Sequence, residues 1–357
     1  MNWRIVAAEA GSSTGAEWRG LVERVYPDRR FRGGQAHHEA ALLASRHPLS
    51  ADLDFRPLLA VDRHGRAAGR CAVCFRSGSS VARLGFFECL DLAAAPALLA
   101  AAEALAADRG ALAIRGPFDP DYWVGYRMKL DHFDVPPFFG EPFNRPEYPG
   151  LWEASGYEVT GRYHSSVVAR PRVPADGPWR PAAVRAHAQA NGVEVRPLGL
   201  GFEAALAAIH GLVMDRFAIM AEFHPLTFDQ FAALLRPLGR LLDRRASQLA
   251  WADERLVGFA AVTPDFGRSL DSGPARALAA IFARRLRPGA LICSYLAVDR
   301  AYRGLGPALT LPGLARAARL GVPAIGALIH EDAPTAHYLP DQITRSHHYA
   351  LYSKSLA

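Results

Sequence analysis

The chain has 357 residues, half of them apolar, enough for two domains of ordinary size, each with its own core. No apolar run reaches the ~18 residues that span a bilayer. The opening residues, MNWRIVAAEAGSS, lack a basic segment followed by a long apolar one, so a cytoplasmic protein with no membrane partner is expected. The formal charge of +6 comes from scattered arginines, with lysine only at Lys129 and Lys354. No dense basic run with interleaved aromatics predicts a nucleic-acid stripe, although a basic pocket for a polyanionic cofactor remains compatible with this charge.

In chain order, WRIVAA predicts a short strand and GAEWRGLVERVY a helix. RPLLAVDRHGRAAGRCAVCFR reads as strand, turn, strand, with the turn at Asp62 to Gly65. ARLGFFECLD is a further strand, APALLAAAEALAADRG an alanine-rich helix closed by Gly110, and ALAIRGPF a buried strand ending at a Gly-Pro breaker. Cys71 and Cys74 have the spacing of half a zinc site, but they lie in a strand run, where positions three apart point to opposite faces. With Cys89 and Cys293 they are expected to be buried and reduced.

After a proline- and glycine-bearing connector near 170 to 190, the order repeats. GVEVRPLG is a strand, GFEAALAAIHGLVMDRFAIM a helix, and FDQFAALLRPLGRLLD a second helical region. SQLAWADERLVGFAAVTP is strand, turn, strand, turning at Asp253 and Glu254. GALICSYLAVD is a strand, GPALTLPGLARAARLG a helix, PAIGALIH a strand, and HHYALYSKSLA a closing alternating strand. The repeat is one of topology, not of residue identity.

Between one strand and its helix stands Arg303-Gly304-Leu305-Gly306-Pro307-Ala308. A glycine-rich turn entering a helix is an anion site in principle. The first N–H groups of a helix have no partner, and its dipole adds positive charge there. Glycine removes the β-carbon that would hold a phosphate off, Arg303 adds a charge-assisted bond, and Pro307 suits the first turn while removing one donor.

This stretch resembles the acetyl-CoA signature of the GNAT superfamily of N-acetyltransferases: arginine or glutamine, two residues, glycine, one residue, then glycine or alanine. Arg303, Gly306 and Ala308 fill those places. The resemblance covers roughly residues 192 to 357. It implies that the strand before the motif parts from its neighbour, that Leu296, Ala297 and Val298 hold pantetheine, and that the loop from Arg303 through Gly304, Leu305, Gly306 and Pro307 to Ala308 holds the pyrophosphate.

The first half lacks this signature, and Asp91 stands where an anion site needs the opposite charge. Its block IRGPFDPDYWVGYRMKLDHFDVPPFFGEPFNRPEYPGLWEASGYEV resembles bacterial two-domain GNAT-like proteins, with Asp119 in place of an asparagine and Arg145 inserted into an Asn-Pro pair. The fold class implied is α/β, an α+β mixed sheet: tandem GNAT-like domains, each a mixed, mostly antiparallel sheet flanked by helices. The expected division is a degenerate domain without the CoA loop at 1–170, a linker at 171–191, and an acyl-CoA-binding domain at 192–357.

The function implied is transfer of an acyl group, acetyl above all, from its CoA thioester to an amine of a small metabolite. The family's tyrosine acid follows an asparagine-x-x-alanine; here Ala333 falls on the asparagine place and Pro340 on the tyrosine place. Tyr338 is two residues early, about 200° round a helix, and is the candidate acid. Glu222 and Glu331 are the candidate bases, with His224 and His330 beside them; His347 and His348 read as strand residues, one facing inward. No His-Glu-x-x-His pattern predicts a metal, and no Gly-x-Ser-x-Gly elbow predicts a serine hydrolase. The rival expectations are a tandem GNAT-like transferase using aminoacyl-tRNA, and an acyl-CoA-binding regulatory protein without catalysis.

Overall fold

A computed structural model describes residues 3–32, 36–199, 201–220, 222–271 and 274–356. In chain order the first part contains β1 (Arg4–Ala7), α1 (Ser13–Val25), α2 (Ala36–Leu43), β2 (Leu53–Val61), β3 (Ala67–Arg76), β4 (Val81–Cys89), α3 (Ala95–Asp108), β5 (Ala113–Gly116), β6 (Met128–Lys129), α4 (Tyr148–Ala154) and β7 (Glu158–Val168). Then follow α5 (Pro181–Ala190), β8 (Val193–Pro197), α6 (Phe202–Phe217), α7 (Phe228–Gly239), β9 (Gln248–Ala252), β10 (Arg255–Pro264), α8 (Pro274–Leu286), β11 (Leu291–Val298), α9 (Gly306–Leu320), β12 (Ala324–His330) and β13 (Arg345–Ser355).

By their contacts these elements form two compact units. Unit 1 is Met1–Pro137, Glu141–Tyr163 and His348–Ala357; unit 2 is Phe138–Gly140 and His164–His347. This differs from the consecutive division read from the sequence. The closing strand counts with unit 1 because its backbone pairs there, Tyr352 with Gly116 and Lys354 with Ile114. The stretch expected as a linker, 171–191, contains α5, which Pro181 opens in its first turn and which buries Val184 and Ala188.

In unit 1 the strand order is β1-β2-β3-β4-β5-β13, with β6 beside β13. Neighbours are antiparallel except β4 and β5. α3 is the crossover that a parallel pair requires. β3 is central, so its sequence AAGRCAVCFR is buried at nearly every position. Its arginine is tolerated because it is paired. Arg70 forks onto Glu39 (3.1 and 2.7 Å), also bonds Trp18 O, and lies over the Trp18 ring. That bidentate pair ties α2 and α1 to the sheet. The core on the α3 side gathers Leu98, Leu99 and Ala102 with Phe87, Tyr148 and Trp152. Phe87 meets both of those rings edge-on, at 5.0 and 5.6 Å. All four cysteines are free; Cys71, Cys74 and Cys89 are buried.

Unit 2 repeats the plan, β8-β9-β10-β11-β12-β7, antiparallel between β8 and β11 and parallel between β11 and β12, with α9 as the crossover. The expected turn lies at Asp253, whose φ of 52° is left-handed. Thr227 and Gln230 form a capping box at the start of α7. Gly321, left-handed at φ 66°, closes α9. In each unit the strand pairing is mixed and mostly antiparallel with flanking helices, as expected. The units differ in one connection: residues 77–80 join β3 to β4, whereas residues 265–290, which include α8, join β10 to β11.

Candidate functional site

The site in unit 2 begins as a defect in its sheet. β11 and β12 pair only at Leu291 with Ala324, Ile292 with Ile325 and Cys293 with Gly326. β11 nevertheless continues to Val298 and β12 to His330. Beyond Cys293 the two strands part. The cause is local. Against β10, Val262 pairs with Cys293 and Ala261 with Tyr295, so Ser294 is one residue too many and forms a bulge. A bulge bends its strand and ends regular pairing. On β12, Leu328 has a φ of 56°, and its N–H bonds the side-chain Oγ of Ser165 on β7 (2.9 Å). From Cys293 to Leu296 the strand is half-buried although it lies inside a sheet. Ala297 is buried, and the side chains of Leu296 and Val298 pack on Leu305, Leu309 and Val257. The three residues expected to hold pantetheine therefore stand on the parted strand, beyond the last pairing with β12.

β11 leads through a short 3-10 turn into the loop at α9. Asp299 caps that turn through the N–H of Ala301 and pairs with Arg255 (2.5 Å), fixing the approach. Arg303 and Gly304 are exposed; Leu305, Gly306 and Ala308 are buried. The donors expected to face a phosphate are partly engaged. Leu305 N–H bonds Tyr302 O (3.3 Å), and the N–H groups of Ala308 and Leu309 both bond Leu305 O (2.9 and 3.3 Å). Pro307 has no N–H.

Both glycines are constrained by side chains of this same unit. Gly304 sits at φ 93°, and a β-carbon there would stand 2.8 Å from His187 Nε2. A β-carbon on Gly306 would overlap the hydroxyl of Tyr338. Tyr338 is held edge-on by Trp179 (4.8 Å between ring centroids), and Trp179 packs beside Val184, Ala308 and Leu311. Burial, then the neighbouring Cys293, holds the Tyr338 hydroxyl above its ordinary pKa, so it stays a donor at neutral pH. Burial also pushes the Cys293 thiol up to about 12, which removes it as a nucleophile.

The structure thus brings Tyr338 to the loop from Arg303 to Ala308. Glu331 is exposed, one residue past the parted end of β12. Glu222 lies half-buried in the turn between α6 and α7. His330 Nδ1 accepts the N–H of Asp332 (3.2 Å), and His347 is buried. Sequence reasoning missed His187 and Trp179, because the stretch that carries them reads as a proline-rich connector. Among the described residues no group of three or more His, Cys, Asp or Glu is placed to hold a metal ion.

Unit 1 has the same defect, filled differently. β4 and β5 pair only from Val81 with Ala113 to Arg83 with Arg115. The bulge lies at Phe86 and Phe87 against Cys71, with Phe86 at φ 51°. Here the chain's own loop occupies the parted edge. Phe118 N–H bonds Leu84 O (2.8 Å), Phe86 N–H bonds Asp119 Oδ1, and Cys89 N–H bonds Tyr148 Oη (2.8 Å). A β-carbon on Gly85 would overlap Phe118 O. Burial raises the Asp119 carboxyl to about 6 and the Glu88 carboxyl to about 7. Tyr26 and Tyr148 both donate to Glu88 Oε2 (2.8 and 2.9 Å). Asp91 caps the turn before α3, accepting from Ala93 N–H (3.0 Å).

Two units, each with a parallel pair parting at a bulge and leading to a crossover helix, define the architecture. The fold is that of tandem GNAT proteins. It is similar over 100 % of this chain, and 99 % of the other, to a tandem GNAT protein from the clavulanic acid biosynthesis pathway, at 14 % identity and a TM-score of 0.54. A GCN5-related glucosamine N-acetyltransferase region of a fungal multi-domain β-N-acetylglucosaminidase aligns with 99 % of this chain and 38 % of its own, at 12 % identity and a TM-score of 0.57. A GCN5-related N-acetyltransferase from Anabaena variabilis aligns with 99 % of this chain and 73 % of its own, at 10 % identity and a TM-score of 0.54. No protein-family model and no curated protein sequence matches the chain. At these identities the GNAT likeness is one of fold.

Proposed function

We propose that unit 2 binds an acyl-CoA, acetyl-CoA first among them, and transfers the acyl group to an amine of a small metabolite. The observation that supports this most is the parting of β11 from β12 beyond Cys293, on a strand that runs directly into the loop of Arg303 and Gly306. A parted strand offers backbone groups to an extended amide chain, as in strand addition. Pantetheine is such a chain, and Leu296 to Val298 would receive it. Arg303 and the start of α9 would face the pyrophosphate. With Pro307 and the engaged N–H groups thinning the backbone donors, the Tyr338 hydroxyl takes a share of that work. Pyrophosphate and thioester lie at opposite ends of the pantetheine arm. Against Gly306, Tyr338 therefore serves the phosphate end rather than the departing thiolate.

In the reaction the amine lone pair attacks the thioester carbonyl, the C–S bond breaks, the amine loses a proton and the thiolate gains one. Glu331 beyond β12 and Glu222 are the bases this reading offers, and water protonates the thiolate. Most of the acceleration then comes from holding amine and thioester together, which supplies on the order of 7–11 kcal/mol. Unit 1 takes no CoA in this reading, because its parted edge is occupied by Phe118 and Asp119 and its helix start carries Asp91.

A thermal-shift screen of the whole chain against acetyl-CoA, longer acyl-CoAs and CoA tests the reading. Ligand at ~100 times its dissociation constant adds about 2.7 kcal/mol to the unit that binds it. Free-thiol release with an amine library then tests transfer. No shift with any acyl-CoA overturns the proposal. A shift without turnover on any amine assigns the chain to acyl-CoA binding alone.

A further inference from the structure

The connection that unit 2 has and unit 1 lacks carries α8, and α8 faces outward in an unusual way. Leu278, Phe282 and Leu286 are 70 %, 70 % and 65 % exposed. They stand four residues apart, so they form one row along the helix. The face turned inward is the poorer one in apolar bulk: Ala277, Ala280 and Ile281, with Arg284, are half-buried. Scattered exposed leucines need no explanation, but three large apolar side chains in register on one helix are a patch. The fold does not require it, since unit 1 closes the same hairpin with residues 77–80.

The helix contains no acidic residue, and Arg284, Arg285 and Arg287 gather at its C-terminal end, the last two exposed. That charge decides what covers the row. A parallel pairing with α8 of a second copy would set the C-terminal arginines against each other with no acid on the helix to offset them. A 13-residue helix also offers little of the roughly 800 Å² per partner that a stable dimer buries. A row on a single helix is convex, unlike the groove that a helical or extended peptide enters. A convex apolar row bordered by arginines matches the boundary between acyl chains and anionic headgroups, where arginine stems lie along apolar surface and their guanidinium groups reach the phosphates.

We propose that α8 docks the protein on an anionic lipid surface, with Leu278, Phe282 and Leu286 entering the acyl boundary and the exposed Arg285 and Arg287 meeting the headgroups. The helix lies on the bilayer and does not cross it, since no described helix is long and apolar enough to span. This departs from the expectation, read from the sequence, of no membrane partner.

The test is sedimentation of the full chain with vesicles of phosphatidylcholine alone, and with about 30 % phosphatidylserine, at ~0.1 M salt. Binding to the anionic vesicles at least about tenfold tighter than to the neutral ones is expected, weakening as salt rises. The variant Leu278→Gln, Phe282→Gln, Leu286→Gln should lose at least about tenfold in partition while keeping its circular dichroism and thermal transition. In Phe282→Trp, the emission should move to the blue when anionic vesicles are added. Three outcomes overturn the proposal: no binding to anionic vesicles, binding unchanged in the triple variant, or a dimer by light scattering that the triple variant dissociates. The last assigns the row to a second copy of the chain.

Discussion

The hydroxyl of Tyr338 rests against Gly306 so closely that a β-carbon on the glycine would overlap it. One contact thus links the glycine of the loop before α9 with the tyrosine expected to be an acid, and in the proposed reading it sets that tyrosine at the phosphate end. In Tyr338→Phe, affinity for CoA should fall about ten- to a hundredfold, the value of one hydrogen bond to a charged group. Turnover at saturating acyl-CoA should fall by less than about tenfold. Calorimetry and steady-state rates separate the two. A thousandfold loss in turnover with unchanged affinity would return the acid role to Tyr338. Gly306→Asp should displace the hydroxyl, add a negative charge, and abolish CoA binding in a folded protein.

Arg303 is exposed at the same loop. Arg303→Ala should weaken CoA about tenfold while leaving the affinity for pantetheine, which lacks the pyrophosphate, unchanged. The difference should shrink as salt rises. Stability should move by no more than about 0.5 kcal/mol, as for other exposed positions. Equal losses for both ligands would mean that Arg303 shapes the loop and does not meet phosphate.

Gly85 in unit 1 tests how tightly the loop of Phe118 and Asp119 fills its parted sheet. The overlapping group is a backbone carbonyl, which cannot rotate aside. Gly85→Ala should destabilise unit 1 by about 3 kcal/mol or more in urea unfolding, at the upper end for added bulk in a packed interior. A loss under ~1 kcal/mol would show that the loop yields.

Glu88 predicts a pH dependence. Burial raises its carboxyl from 4.5 to about 7, against lowering by Arg70 and by the hydroxyls of Tyr26 and Tyr148, with Asp119 adding to the rise. A carboxyl raised in the folded state binds its proton more tightly there than in the unfolded chain. Its stabilisation is therefore complete below pH ~4.5 and is lost as pH rises through ~7. Glu88→Gln keeps an acceptor for the tyrosines and should flatten this decline, so the variant gains on the wild type between pH 5 and 8. His38 and His47 act in the opposite direction and lower down. Burial depresses them to about 3 and about 4, so their stabilisation is present above ~6.5 and is lost as pH falls through those values. Unfolding curves at pH 5 and pH 8 check the carboxyl, and curves between pH 3 and 6.5 check the histidines. Parallel curves for wild type and variant would show that Glu88 is ionised at both.

Local patterns carried much of this fold. The strand–turn–strand at Asp253, the helix from Gly306 closed by Gly321, and the repeated order of the two halves all rest on apolar periodicity and on residues that permit or end a backbone conformation, which are properties of neighbours in sequence. The loop of Arg303, Gly306 and Ala308 was legible for the same reason. Short helices resisted: α5 hides among prolines, and no element is read from the sequence where α8 stands. Other decisions lay in contacts between residues far apart in the chain. Only the tertiary structure set Tyr338 on Gly306 and His187 on Gly304, placed the strand from His348 onward beside β5, and filled one parted sheet with Phe118 and Asp119. A sequence states which groups a segment offers, whereas occupation of a strand edge depends on which distant segment reaches it first with the right donors and shape.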